Sequence, residues 1–242
     1  MLHVSKDPDT LLTALANFVV ARAKVCIERS ARFTIALSGG SSPKRLYELL
    51  ASDAYRKRID WKKVYFFFGD ERYVPQDHAN SNFLMVNKAL FVPLNVSNEQ
   101  IFAVNTSLQP SDAASDYEQR IRKHFHDNEC RFDLILLGLG DNSHTASLFP
   151  HTSVLHEQHA LVKEIYVQEV SMYRITFTAP LINAAKCVAF LVYGSSKAGA
   201  VANILKGPVK IDDYPAQLIS PVDGELHWFM DGPAAAEGDE GD

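Results

Sequence analysis

Residues 33–50 read FTIALSGGSSPKRLYELL, and this stretch decides the fold. The run from Phe33 to Leu37 is apolar and has the length of a buried strand. The serines and glycines that follow it predict a turn. Beyond the turn, Leu46, Leu49 and Leu50 recur at helical spacing. The stretch therefore predicts a strand, a glycine turn and a helix, in that order.

The same order recurs twice further along the chain. Residues 64–68 (VYFFF) run into GDER, and residues 132–137 (FDLILL) run into GLGDNSH. Helical patterns near 81–90 and 112–126 lie between these strands and loops. Because strands that alternate with helices form parallel sheets, we expect the α/β class, with a mainly parallel open sheet flanked by helices in a Rossmann-like arrangement.

The flanking segments extend this pattern. Residues 10–29 carry an amphipathic stripe and predict a long first helix. Residues 174–178 and 187–193 predict two more strands, 197–205 a helix, and 226–230 an edge strand. Nothing in the composition marks a linker between two domains.

Length and composition set the domain organisation. With 242 residues, of which 47% are hydrophobic, the chain can build one large core. We expect a single α/β domain over residues 1–232. Residues 233–242 contain only Pro, Ala, Gly and acidic residues, which predicts an acidic, disordered tail.

Charge and cysteine content exclude several classes of protein. A net charge of −5 suggests no basic face, so we expect no nucleic-acid partner. Cys26, Cys130 and Cys187 are odd in number and widely spaced, which argues against disulfides and against a zinc site. The first residues lack a signal-peptide core, and no run approaches the ~18 apolar residues of a membrane span. We therefore expect a soluble, cytoplasmic protein without a membrane partner.

The loop Ser38–Pro43 is a candidate phosphate site. Glycines let the backbone approach a ligand closely, and a helix N-terminus offers free amides to an anion. Ser42 can act as the N-cap, and Pro43 suits the first helical position. The alternative is an ordinary turn between a strand and a helix, because the loop matches no standard nucleotide-binding motif.

Two further loops carry chemically active side chains. Asp70, Glu71 and Arg72 follow the strand at 64–68, and an arginine can bind two phosphate oxygens at once. His144 follows the strand at 132–137, and a neutral imidazole can take a proton from water. For the acidic loop, the competing interpretation is a surface ion pair at a strand end.

Absent motifs narrow the chemistry. The sequence contains no G-x-S-x-G elbow, no H-E-x-x-H and no C-x-x-C. Covalent serine catalysis and zinc hydrolysis are therefore disfavoured. Direct attack by a water that a histidine deprotonates remains, provided that the acyl group is reactive.

Taken together, SGGSSP, GDERYVP, GLGDNSHTASLFP, YRITFTAP and YGSSKA resemble the 6-phosphogluconolactonase family. The resemblance covers residues 38 to 198 and implies the fold shared with glucosamine-6-phosphate deaminases. It implies a metal-free, cofactor-free hydrolase of the pentose phosphate pathway that opens 6-phospho-D-glucono-1,5-lactone. The partner is then the phosphosugar lactone, and we expect a monomer or a weak homo-oligomer.

The resemblance also implies roles for particular residues. His144 is the general base, and Asp70 and Asn142 belong to the catalytic group. The implied substrate-binding residues are Gly39, Gly40, Ser41, Ser42, Arg72, Arg174 and Lys197.

One loop departs from the family pattern. The family reads Asp-Gly-His where this chain has Asn142, Ser143 and His144. Asn142 keeps a hydrogen-bonding carbonyl but lacks the charge, so Asp141 could take over that function. Ser143 in place of glycine suggests that the turn does not need a conformation reserved for glycine.

Two other functions compete. The first is a glucosamine-6-phosphate deaminase, which shares these loops. In that family the third loop resembles H-I-A-F-N-E-P and supplies a glutamate to the proton relay. This chain has Phe149 at the aligned position, and a phenylalanine transfers no proton. A non-catalytic phosphosugar sensor on a similar fold would need a DNA-reading module, and no basic helix-turn-helix precedes residues 10–29.

Overall fold

A seven-stranded parallel sheet forms the centre of the molecule. The computed structural model describes residues 1–126 and 129–236. The strands of this sheet are β1 (Leu2–Ser5), β2 (Phe33–Leu37), β3 (Val64–Phe68), β5 (Ile101–Phe102), β6 (Leu134–Leu137), β9 (Cys187–Val192) and β10 (Glu225–Asp231). Their order across the sheet is β1-β10-β9-β6-β2-β3-β5, with every pairing parallel. The predicted fold class is confirmed.

Eight α-helices connect and cover the strands in the described part of the chain. They are α1 (Pro8–Ser30), α2 (Ser41–Ala51), α3 (Asn82–Val86), α4 (Val92–Leu94), α5 (Pro110–His124), α6 (Ala179–Asn183), α7 (Ala198–Leu205) and α8 (Gly232–Ala235). Asn87–Phe91 joins α3 to α4 as one π-helical segment. Short 3-10 turns occupy Trp61–Lys63, Asn98–Gln100, Ser153–His156, Gln168–Val170, Ser195–Lys197 and Pro215–Leu218.

The central strands are apolar because helices bury both of their faces. Every residue of β2, β6 and β9 is buried. Ile35 and Leu37 face a core formed with α1 and α2, whereas Ala36 faces a core formed with α5, α6 and α7. Strands buried on two faces read as continuous hydrophobic runs, which explains why the sequence predicted their positions well.

Helix α1 corrects one expectation from the sequence. By length and composition alone it could cross a membrane, so the expectation that no segment reaches that threshold is wrong. In the structure its apolar stripe packs against the sheet, with Leu11, Leu15 and Val19 almost fully buried. Its composition therefore has an explanation within the core.

A second sheet lies beside the main one and was not predicted. β4 (Asp70–Arg72), β7 (Val162–Val167) and β8 (Met172–Phe177) form an antiparallel sheet in the order β4-β8-β7. The predicted strand at 174–178 therefore belongs to this sheet and not to the parallel one. Its register places Arg72 directly opposite Arg174.

Two boundaries differ from the prediction. The strand predicted at 226–230 is not at an edge, because β10 lies between β1 and β9. Part of the predicted tail, residues 233–236, is described by the structure: Pro233 lies within α8, and Ala234 is buried. The remainder of that tail, residues 237–242, lies outside the described residues.

Candidate active site

A cavity of about 450 Å³ opens at the carboxyl ends of β2, β6 and β9. Loops that follow parallel strands converge at this edge, where ligands of open α/β sheets bind. Nine of the residues predicted for the site line the cavity: Gly39, Gly40, Ser41, Ser42, Asp70, Arg72, His144, Arg174 and Lys197. The tenth, Asn142, contacts the His144 ring. The fold thus brings the predicted residues together.

The start of α2 presents unoccupied amides to the cavity. Gly40, with φ of 106°, is the N-cap and supplies no side-chain cap, so the expectation that Ser42 caps the helix is wrong. Lys44 donates to the Gly40 carbonyl, and Pro43 has no N–H. The amides of Ser41 and Ser42 are therefore the ones at this helix end that an anion can accept from.

Gly39 is required by close packing. A Cβ at this position would overlap the side chain of Asn82. Asn82 is buried and donates through Nδ2 to the backbone carbonyl of Asp70 at 2.9 Å and to its carboxylate at 3.2 Å. The glycine loop and the acidic loop are thereby locked together.

The two carboxylates of the acidic loop have different roles. Glu71 accepts hydrogen bonds from the backbone amides of Arg72, Asn82 and Phe83, so it holds the loop in shape. Burial raises the pKa of Glu71, although these hydrogen bonds act in the opposite direction. Asp70 lines the cavity and accepts from the Ser147 hydroxyl at 2.6 Å. Of the two carboxylates, Asp70 is the one placed to act on a ligand.

Arg72 and Arg174 stand side by side across the β4–β8 ladder. Burial lowers the pKa of Arg174, and the neighbouring charge of Arg72 lowers it further, whereas Asp70 raises it. Two like charges in direct opposition are unfavourable unless an anion compensates them. Their placement is typical of a site for a phosphate group.

Buried polar atoms without a partner are concentrated at and around this cavity. Across the described residues five such side-chain atoms occur, and four belong to this region: Ser38 Oγ, Arg72 Nε, Asn82 Oδ1 and Arg174 Nε. A buried polar atom without a hydrogen bond costs about 1–3 kcal/mol. Their concentration at one cavity indicates a binding site for a polar ligand.

The His144 ring is fixed by packing on two sides. It stacks on Phe149 with ring centroids 4.0 Å apart and planes 17° apart. A Cβ on Gly140 would overlap the ring, so only glycine fits there. Burial lowers the pKa of His144 to about 4, with Asp70 acting in the opposite direction. The imidazole is therefore neutral near pH 7.

Asn142 determines which nitrogen of His144 is free. Asn142 Oδ1 lies 2.6 Å from His144 Nδ1 and also accepts from the His144 backbone amide at 3.3 Å. An amide oxygen only accepts hydrogen bonds, so Nδ1 carries the proton and Nε2 keeps its lone pair. A neutral histidine with a free Nε2 can act as a general base.

Two expectations about this loop need correction. Ser143 has φ of 65°, the left-handed region that favours glycine, although serine adopts it here. Asp141 does not replace Asn142 at the ring: its carboxylate lies 2.6 Å from Lys197 Nζ, and this contact lowers the pKa of Asp141. Lys197 is thereby held at the cavity.

A second cluster of potential ligands lies at the opposite end of the sheet. Cys187 Sγ, a Glu225 oxygen and a His227 nitrogen lie within 4.8 Å of one another, as three metal ligands could. Arg22 pairs with Glu225 and also hydrogen-bonds Cys187, which places a cation where a metal would sit. Burial raises the pKa of Cys187 to about 11, so it is a poor ligand as a thiolate.

Fold and cavity together define an α/β protein with a cavity suited to a small anionic ligand at the carboxyl edge of a parallel sheet. A family model described as glucosamine-6-phosphate isomerases/6-phosphogluconolactonase matches residues 6–228, and the chain belongs to that family.

Individual relatives are consistent with this assignment. A 6-phosphogluconolactonase from Nostoc is 39% identical over 98% of this chain and 97% of its own length. The bovine 6-phosphogluconolactonase is 35% identical over 97% and 92% of the two chains. Among solved structures, 6-phosphogluconolactonase from Trypanosoma brucei has a TM-score of 0.83 at 26% identity and covers 97% of each chain.

Sequence reasoning missed several residues of the site. Asn82 and Ser147 hydrogen-bond Asp70, and Glu169 hydrogen-bonds Asn142. Ser147 lies within GLGDNSHTASLFP, but nothing in that segment singled it out, and Glu169 lies outside every quoted segment.

Proposed function

We propose that this chain hydrolyses 6-phospho-D-glucono-1,5-lactone to 6-phospho-D-gluconate in the oxidative pentose phosphate pathway, with His144 as the general base. The observation that carries the proposal is a neutral His144 with a free Nε2 in the same cavity as the Arg72–Arg174 pair. The names of the relatives support the same reaction.

The reaction needs one proton transfer to start. His144 Nε2 takes a proton from water as the water oxygen bonds to the lactone carbonyl carbon, which gives a tetrahedral oxyanion. The oxyanion then collapses, the bond from this carbon to the ring oxygen breaks, and that oxygen receives a proton from the His144 imidazolium. Asp70 stabilises this imidazolium, because its charge raises the pKa of His144.

The phosphate of the substrate provides the binding energy. Arg72 and Arg174 can donate to its oxygens, as can the Ser41 and Ser42 amides at the start of α2. Lys197 adds a further cation at the cavity. Holding the phosphate fixes the lactone carbonyl relative to His144, so binding energy is used for orientation.

Phe149 favours a lactonase over a deaminase. The deaminase reaction needs a carboxyl proton relay in the third loop, and Phe149 instead stacks its apolar ring on His144. A hydrophobic neighbour keeps the imidazole neutral and offers no second proton carrier. The proposed reaction uses no cofactor.

Location and assembly are also part of the proposal. Within the described chain, Cys26, Cys130 and Cys187 form no disulfide, which fits a reducing compartment such as the cytoplasm. The apolar stripe of α1 is used in the core rather than on a membrane. We propose a monomer or a weak homo-oligomer.

The experiment is hydrolysis of freshly prepared 6-phosphoglucono-δ-lactone, followed by acid release with and without EDTA. Glucosamine 6-phosphate is tested in parallel for ammonia release. We expect rapid lactone opening that EDTA does not slow, and no ammonia. Lactone opening at the rate of buffer alone would overturn the proposal, and ammonia release would assign the deaminase reaction.

A further inference from the structure

Asn142 has two hydrogen-bonding ends, and both are occupied. Its Oδ1 faces the His144 ring at 2.6 Å from Nδ1. Its Nδ2 donates to Glu169 Oε2 at 3.2 Å. The two contacts agree on the amide orientation, because a carboxylate accepts only and must face the NH₂ group. Glu169, Asn142 and His144 therefore form a continuous chain of hydrogen bonds.

We propose that Glu169 is a positioning residue for the hydrolysis, which acts on His144 through the amide of Asn142. This inference rests on the proposed function of His144 as the base. Through the Asn142 amide, Glu169 supplies the negative charge that Asn142 itself lacks.

The physical reason is polarisation along the chain of hydrogen bonds. A carboxylate that accepts from Nδ2 draws the amide dipole toward itself and makes Oδ1 a stronger acceptor. A stronger acceptor holds the Nδ1 proton more firmly and stabilises the imidazolium that forms as water is deprotonated. Glu169 also fixes the amide so that Oδ1 faces the ring.

Glu169 comes from an element that is otherwise unrelated to the third loop. It lies in the 3-10 turn Gln168–Val170, which joins β7 to β8, and it lines the same cavity. The charged groups that act on His144 include Asp70 and Asp141, which raise its pKa, and Lys197 and Arg174, which lower it. Asp141 is held by Lys197, which leaves Glu169 as the acid in contact with Asn142.

The test is a double-mutant cycle between Glu169 and Asn142. In the natural background, Glu169→Gln should lower kcat about tenfold, the lower end of the effect that loss of an outer hydrogen-bonding partner has at a metal-bound histidine, with KM little changed. The acid limb of the kcat/KM profile should move to lower pH, because an anion near His144 is removed.

In an Asn142→Asp background, the effect of Glu169→Gln on kcat should have the opposite sign. The introduced aspartate would place its carboxylate beside that of Glu169, and like charges this close repel. Glu169→Gln relieves that repulsion and should raise kcat of the Asn142→Asp enzyme. A residue that merely supports the fold, or that touches only substrate, gives no such reversal. Glu164→Gln, on β7 and outside the cavity lining, serves as the matched control.

The possible outcomes distinguish a failure of this inference from a failure of the proposed function. Unchanged kcat and an unchanged pH profile in Glu169→Gln would overturn the inference, and so would an equal fall in both backgrounds or a change in KM alone. An NMR titration of His144 in the free protein gives a readout independent of turnover, and its pKa should be lower in Glu169→Gln. Absence of lactone opening by the unchanged protein would instead overturn the proposed function, and the catalytic part of this inference with it.

Discussion

Two polar clusters, each built around a histidine, lie at opposite ends of the parallel sheet. At the amino ends, His227 Nδ1 lies 2.9 Å from His3 Nε2, and His227 Nε2 lies 3.0 Å from Glu225. Glu225 in turn pairs with Arg22. At the carboxyl ends, His144 has a fixed Nδ1 contact, and the polar groups around it include several without a partner.

The comparison of the two clusters shows how a candidate binding site differs from a structural cluster in this fold. Residue types alone do not separate the clusters, since both contain a histidine, a carboxylate and an arginine. The His227 cluster closes its hydrogen bonds internally and so contributes to stability. The cavity instead keeps the Arg72 and Arg174 Nε atoms buried and unpartnered within the described chain, as is typical of a site for a polar ligand.

The largest expected effect comes from exchanging each histidine in turn. His144→Ala should fold and should lose about 10²–10⁴-fold in kcat, because general-base catalysis contributes on that scale. His227→Ala should retain kcat and should lose about 1–3 kcal/mol of unfolding free energy, because a buried hydrogen-bonded network is broken. Steady-state kinetics and urea unfolding measure the two quantities. Equal kcat in His144→Ala and the unchanged protein would remove His144 from the mechanism.

Exchanging one arginine in each cluster tests the same comparison, and the expected effect is smaller. Arg174→Met should raise KM about 10–100-fold and change kcat little, since a charged hydrogen bond to phosphate contributes about 1.5–3 kcal/mol. The free protein should not be destabilised, because a buried unpartnered group and a like-charge contact are removed. Arg22→Met is the matched control and should lower stability without raising KM. A large loss of stability in Arg174→Met would show that this arginine supports the fold.

The smallest expected effect is a dependence of stability on pH. The folded-state pKa of His144 is lowered to about 4 from 6.5, so below pH 6.5 the unfolded chain binds the proton more readily. Stability should therefore fall as pH decreases from 6.5 toward 4. His144→Ala should show a shallower fall than the unchanged protein in urea unfolding at about pH 7 and about pH 5. Parallel curves would contradict the lowered pKa.

Much of the fold was predictable because local pattern and tertiary structure agree in the buried strands. β2 and β3 have the predicted bounds, since each is a nearly continuous run of apolar and aromatic residues. β4 escaped prediction because three charged residues carry no strand pattern, and its pairing with β8 is purely tertiary. β1 also escaped, because an edge strand of four residues with half of them exposed has little signal.

The candidate site likewise contains residues that the sequence predicted and contacts that it did not. His144, Arg72 and Gly39 lie in loops whose composition is unusual, so the sequence pointed to them. The contact between Asn142 and Glu169 joins positions 27 residues apart and depends on how the β7–β8 hairpin approaches the third loop. Such a contact follows from packing, which no single-sequence pattern records.

In the proposed site, a molecule can bind the ligand only if β4 and β8 have paired in the correct register. Side chains alternate along a strand, so a shift of one residue in this pairing would turn Arg174 to the other side of its strand. A misassembled fraction would keep its far-ultraviolet circular dichroism yet bind no inorganic phosphate. Calorimetric titration with inorganic phosphate would then give fewer than one site per chain. The shortfall would measure the misassembled fraction, which circular dichroism does not detect.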